Sequence, residues 1–190
     1  MSHGCKHPKL VILDRDGVIN QDSPDYIKSV AEWVPIPRSL KAIVRLNHAG
    51  WLVAIASNQS GIARGLFDLA TLEQIHQTLR EQLSTLGGHI DAIAFCPHGP
   101  DHGCTCRKPA PGLLINLAAR FAVNLAQVTV IGDSLRDIQA AQAVGAQPIL
   151  VNTGNGAATA QRETAALAGV RQYADLYAAV DDLLLEDENP

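Results

Sequence analysis

The sequence predicts an α/β fold, a three-layer Rossmann-like parallel sheet with helices on both faces. Three observations predict it. Short apolar runs alternate with longer segments in which Leu, Ile, Val and Ala recur at helical spacing. The short runs are apolar at consecutive positions, as in Leu-Val-Ile-Leu at 10–13, which suits strands covered on both faces. Three of these runs stop at polar clusters: Asp14-Arg15-Asp16, Ser57-Asn58 and Gly132-Asp133. Open α/β sheets bind their ligands at such strand ends.

The elements follow in order. Residues 9–13 form the first strand. Pro37 opens a helix whose apolar side is Leu40, Ile43, Val44 and Leu46, and Gly50 stops it. Residues 51–56 are the second strand. Leu69, Leu72, Ile75, Leu79, Leu83 and Leu86 mark one side of a long helix, with His76 beside the stripe and Gly87-Gly88 as its stop. Residues 90–95 are a third strand running into a cysteine cluster. A helix over 111–121 has Pro at its first turn, and 128–131 is the fourth strand. Residues 135–144 are helical, Gly145 stops them, and 148–151 is the fifth strand. Residues 157–185 read as Ala-rich helix packed on one sheet face, and 186–190 as a frayed acidic tail.

A hydrophobic fraction of 47% over 190 residues suffices for one core, so a single domain, 1–190, is expected. The formal net charge of -4 offers no basic surface to nucleic acid or an anionic membrane. No apolar run approaches the roughly 18 residues that span a bilayer. The start, Met1 to Pro8, lacks the apolar stretch of a secretory signal. Its His, Cys and Lys side chains suggest a metal site, but a terminus lacks the packing that holds ligands in place. The expectation is a cytoplasmic monomer whose partner is a small molecule.

Asp14 and Asp16 sit two apart directly after a strand, with Gly17 to release the chain, so both can face one cavity. Asp133 follows another strand. Three acids at strand ends repel one another unless a cation lies between them. Hard oxygen ligands with open positions suit Mg²⁺, which keeps waters and takes substrate phosphate. Taken alone, Asp14 and Asp16 also read as turn formers or helix caps; Asp133 at a matching strand end favours the metal.

Of the four cysteines Cys5 stands alone, whereas Cys96, Cys104 and Cys106 crowd together. With no export signal, thiolate metal ligands come before disulfides. Cys96, His98, Cys104 and Cys106 supply three thiolates and an imidazole, a closed tetrahedral shell for a structural Zn²⁺. Buried free thiols are the alternative, and His102 competes for the imidazole position. Arg107 and Lys108 follow at once, so a zinc loop of about 96–108 would deliver two cations to the site.

These motifs resemble the haloacid dehalogenase superfamily of phosphatases. Asp14-Arg15-Asp16-Gly17-Val18-Ile19-Asn20 is similar to its first motif, Ser57-Asn58 to the second, Lys108 to the third, and Gly132-Asp133-Ser134-Leu135-Arg136-Asp137 to the fourth. The resemblance implies that Asp14 is the nucleophile and Asp16 the general acid and base. It implies that Asp14, the Asp16 carbonyl and Asp133 hold Mg²⁺, while Ser57 and Lys108 hold the phosphoryl oxygens. Asp137 would orient Lys108 or a metal-bound water; its alternative is an exposed helix residue.

With the cysteine loop and Asn58-Gln59-Ser60-Gly61-Ile62-Ala63-Arg64-Gly65, the chain resembles the heptose bisphosphate phosphatases of nucleotide-heptose biosynthesis. The rival is histidinol-phosphate phosphatase, and a non-catalytic zinc-bound module is a more distant one. The short 18–36 segment leaves room for only a minimal cap. Substrate contacts are therefore expected from Asp22, Ser23, Asp25, Ser57, Asn58, Gln59, Ser60, Arg107 and Lys108. Arg107 would clamp a distal phosphate.

Overall fold

The computed structural model describes residues 8–188; the expectations for the first seven residues, Cys5 included, and for 189–190 lie outside the described residues. Its strands are β1 (Leu10–Leu13), β2 (Leu52–Asn58), β3 (Ala92–Cys96), β4 (Thr129–Gly132), β5 (Gln147–Val151) and β6 (Arg171–Tyr173). Its helices are α1 (Ser39–His48), α2 (Leu69–Thr85), α3 (Gly112–Phe121), α4 (Leu135–Gln142), α5 (Gly156–Arg162) and α6 (Leu176–Glu188). The sheet is parallel throughout, in the order β3-β2-β1-β4-β5-β6. The order reverses at β1 and β4, so the crevice above their carboxyl ends is the place for a ligand.

The consecutive apolar residues of the strands are divided between two cores. Val11 and Leu13 of β1 and Val53 and Ile55 of β2 pack with Leu40, Ile43 and Leu46 of α1, Ile75 and Leu79 of α2, and Val180 of α6. Leu10, Ile12 and Ala54 point to the other side, against Leu113, Leu114 and Leu117 of α3 and Ala140 and Ala141 of α4. This is the three-layer arrangement that the runs predict.

Local chemistry sets the helix starts. Asp68 caps α2, its carboxylate accepting the Thr71 N–H at 2.8 Å. The first helix begins at Ser39 rather than at Pro37, because Arg38 before it is left-handed at φ 66° and the Ser39 hydroxyl donates to the Ile19 carbonyl at 2.6 Å. Between β1 and α1 the described residues form a 3-10 turn at Val30–Glu32 and the isolated bridges Asp16–Asn20 and Asn20–Pro35, so nothing larger is inserted there.

The segment expected as helix over 157–185 instead contains β6. Arg-Gln-Tyr has no apolar run to announce a strand, and it pairs with β5 at the sheet edge, where half-exposed residues suffice. Nor are residues 186–188 frayed: they continue α6, Glu186 accepts Arg171 at 2.8 Å, and Asp187 accepts the Trp51 indole N–H at 2.9 Å. His76 is fully enclosed and packs against Phe95, ring centroids 6.1 Å apart.

Candidate active site

Asp14 directly follows β1 and Asp133 directly follows β4, the two strands flanking the reversal. Their carboxylates meet because Gly17 and Gly154 make room. A Cβ on Gly17 (φ +81°) would stand 2.1 Å from Asp133 Oδ2, and one on Gly154 (φ +56°) would stand 2.2 Å from it. The Asn155 backbone N–H donates to Asp133 Oδ2 at 2.7 Å, and the Thr159 hydroxyl donates to the Asp133 carbonyl at 3.1 Å.

Lys108 enters the same space, nearly buried. Its Nζ lies 3.0 Å from Asp14 and 2.6 Å from Asp137, and donates to the Ala56 carbonyl at 2.7 Å. Burial opposes its charge, but Asp137 and Asp14 outweigh that and push its pKa up. Asp137 is almost wholly buried at the first turn of α4. It accepts the Ser134 hydroxyl at 2.5 Å and the Ser134 N–H at 3.1 Å, a capping box that aims it at Lys108. Burial raises its carboxyl, yet Lys108 and Ser134 bring it below the ordinary range.

Asp14, Asp133 and Asp137 each place a carboxylate oxygen within 4.8 Å of the others. Burial, and then the neighbouring acids, push Asp14 well above the ordinary carboxylate range against the pull of Lys108. Asp133 is pushed up to about 6, chiefly by burial. One lysine among these acids leaves a deficit of positive charge, which is the environment a divalent cation fits.

Asp16 stands beside them with its carboxylate gripped by Arg15, Asn20 and Gln59. Burial raises its pKa, but the Arg15 guanidinium and these hydrogen bonds hold it below the usual range. The Gln59 amide also donates to Ser57 Oγ at 2.7 Å, so that side chain braces the site from within. Asn58 is used similarly: its amide pairs with the backbone N–H and C=O of Lys108, each at 3.0 Å.

The sulfurs of Cys96, Cys104 and Cys106 and Nδ1 of His98 form a four-atom cluster. The sulfurs are 3.2 to 3.6 Å apart, and His98 Nδ1 is 3.5 and 3.4 Å from Cys96 and Cys106. With metal–sulfur bonds of about 2.3 Å, a tetrahedron has sulfur–sulfur edges of about 3.8 Å, so the cluster fits a closed zinc shell. His102 lies outside it, its ring 5.9 Å from that of His98. Arg107 donates to the His98 carbonyl at 3.2 Å, fastening the segment that carries Lys108.

A cavity of about 330 Å³ lies over these groups. Asp14, Asp16, Asp22, Ser23, Ser57, Asn58, Gln59, Ser60, Arg107, Lys108 and Asp133 all line it. Asp25 does not: the 23–26 turn, closed by the Tyr26 N–H on the Ser23 carbonyl, leaves it exposed. Arg64, from the 59–64 loop that the sequence assigns to recognition, also lines the cavity, as do Arg136 and Asn155, which have no role assigned from sequence. Asn155 links Asp133 to Asp22, donating to the Asp22 carboxylate at 2.7 Å. Its only signal is a position just past the end of β5. Arg136 could have been found in the first turn of α4, inside the fourth motif.

A HAD-hydrolase-like family model matches residues 105–179. The chain is 53% identical over 182 residues to D-glycero-beta-D-manno-heptose-1,7-bisphosphate 7-phosphatase of Bordetella bronchiseptica, covering 94% of this chain and 99% of that one. The same-named protein of Pseudomonas aeruginosa is 57% identical over 150 residues, covering 79% and 84%. The crystal structure of the Bordetella bronchiseptica D,D-heptose 1,7-bisphosphate phosphatase, complexed with magnesium and phosphate, superposes with a TM-score of 0.91 over 94% of this chain and 99% of that one, at 53% identity. That from Burkholderia thailandensis gives 0.70 at 45% identity over 93% and 98%. Nothing in these relatives favours the histidinol-phosphate alternative.

Proposed function

The chain belongs to the D-glycero-D-manno-heptose-1,7-bisphosphate 7-phosphatase family of haloacid dehalogenase-like hydrolases, and from that membership we propose how its residues work. The enzyme removes the C7 phosphate from D-glycero-β-D-manno-heptose 1,7-bisphosphate. One observation supports this most: the strand-end acids Asp14 and Asp133 share a cavity with Lys108, whose Nζ is 3.0 Å from Asp14.

Asp14 attacks the C7 phosphorus in line, and the bond from phosphorus to the sugar O7 breaks. Asp16 delivers to O7 a proton taken up as the substrate binds, because an alkoxide leaves poorly without one and the free site holds this carboxyl ionised. In the second half, Asp16 takes a proton from water as the water oxygen bonds to phosphorus and the Asp14–phosphorus bond breaks. Lys108 and Ser57 hold the phosphoryl oxygens, and Asp137 keeps Lys108 in place. Mg²⁺, held by Asp14, the Asp16 carbonyl and Asp133, would offset the charge of the acids and phosphate. Zn²⁺, held by Cys96, His98, Cys104 and Cys106, would fix the loop that presents Arg107 and Lys108.

Arg107 clamps the C1 phosphate, with Asp22, Ser23 and Ser60 toward the sugar. The protein acts as one domain, as a monomer and in the cytoplasm. Among the described residues no helix is long and apolar enough to cross a membrane. Phosphate release from the heptose bisphosphate, with Mg²⁺ present and then chelated, tests the reading. Release that is unchanged by chelation contradicts the metal assignment, and no release contradicts the activity.

A further inference from the structure

Arg15 is a fully buried cation, the largest wholly enclosed side chain among the described residues, and it does not line the cavity. Burying a guanidinium is costly unless its charge is answered. Here the answer is a single carboxylate. Arg15 Nε and Nη2 donate to Asp16 Oδ1 at 3.1 and 2.9 Å, and Nη2 also reaches Oδ2 at 2.9 Å. Asn20 donates to Oδ1 at 2.8 Å, and Gln59 to Oδ2 at 3.0 Å. The Gln59 carbonyl oxygen in turn accepts from Arg15 at 3.3 Å. The other terminal nitrogen, Nη1, is buried with no hydrogen-bond partner. Arg15 therefore does not serve as a general polar brace; its donors are spent on Asp16 and on Gln59, which itself holds Asp16.

We propose that Arg15 is a positioning residue for phosphoryl transfer, its planar fork, with Asn20 and Gln59, locking the Asp16 carboxylate in one orientation toward the leaving oxygen. The inference rests on the reading of Asp16 as proton donor. A carboxylate gripped from three sides cannot rotate away, and one with 21% of its side chain exposed still presents an edge to the cavity. Proton donation needs this alignment, because transfer requires hydrogen-bond distance to the oxygen that leaves. The guanidinium favours the ionised form of Asp16, so what it contributes to proton delivery is the orientation of the carboxyl and not its acidity.

The test is the leaving-group dependence of kcat/KM, which reports the steps through departure of the alcohol. Heptose 1,7-bisphosphate and p-nitrophenyl phosphate are compared, because p-nitrophenolate leaves without a proton. Arg15→Met is expected to lower kcat/KM on the sugar by about 10- to 100-fold, with a much smaller loss on the aryl ester. Arg15→Lys should recover only part, since an ammonium replaces the charge and not the fork. Asn20→Leu should show the same contrast in weaker form, and it decides the question if Arg15→Met does not fold. Equal losses on both substrates would overturn the inference and leave Arg15 a structural cation. Asp16→Asn is the control. If its own losses are equal on both substrates, the proton-donor reading fails and the inference fails with it. If Asp16→Asn shows the contrast and the Arg15 and Asn20 variants do not, the inference alone fails.

Discussion

Asp14 is a side chain whose surroundings oppose its charge. Burial and three neighbouring acids raise its carboxyl, and Lys108 pulls it back. Asp14→Asn removes a charge from this crowd while leaving Asp137 to pair with Lys108 at 2.6 Å. Turnover should fall by several orders of magnitude while thermal stability is kept or improved. Wild-type-like phosphate release by the purified variant would refute the nucleophile. His76 answers a different question. Burial, and then the Arg15 guanidinium, lower its pKa from 6.5 to about 4, with Arg80 adding to this and Glu73 and Asp16 opposing it. The unfolded chain takes up this proton near pH 6.5, whereas the folded protein refuses it until about 4. Stability should therefore be lost as pH falls from 6.5 toward 4, by at most about 3 kcal/mol. Urea unfolding of wild type and His76→Leu at pH 7 and 4.5 reads the effect, and a constant difference between the two would contradict it. The strand-end residues Asp14, Asp16 and Asp133 were legible because an apolar run points directly at each. Arg15 and Asn155 were not. Arg15 acts on the adjacent Asp16, but the grip is completed by Gln59, 44 residues from Arg15, and Asn155 acts through Asp133 and Asp22, contacts that no local pattern announces.

The cysteine loop joins β3 to Lys108, so its order should govern catalysis from outside the cavity. We expect about one zinc per chain by elemental analysis, and a zinc-free protein from careful purification would contradict the shell. Cys106→Ser should lose both the metal and turnover, because the next residues are Arg107 and Lys108. Arg107→Ala separates two roles. As a clamp on a distal phosphate it should cost about 10- to 150-fold in kcat/KM for the bisphosphate and far less for a monophosphate. Parallel losses on both would reduce Arg107 to a brace on His98, whose carbonyl it already meets at 3.2 Å. At this scale the helices were legible because Leu and Ile repeat on one side and Gly stops them. The edge strand β6 was not, because three half-exposed residues need no apolar run when one neighbouring strand supplies the pairing.

The whole molecule brings together residues from both ends of its sequence by one topological fact: β1 lies between β2 and β4. Alternation of strands and helices made a parallel sheet legible, but nothing in an apolar run states which strand it pairs with. The reversal at β1 and β4 puts Asp14 against Asp133, and the loop after β5 closes over both, with the Thr153 hydroxyl donating to the Gly17 carbonyl at 2.6 Å. The cavity so formed carries acids for a metal and Arg64, Arg107, Lys108 and Arg136 for anions, as a substrate with two phosphates requires. The most direct test follows D-glycero-β-D-manno-heptose 1,7-bisphosphate by phosphorus NMR during turnover with Mg²⁺. The C7 phosphate resonance should disappear as inorganic phosphate grows, with the C1 resonance retained. Loss of the C1 phosphate first, or no change in either resonance, would contradict the account.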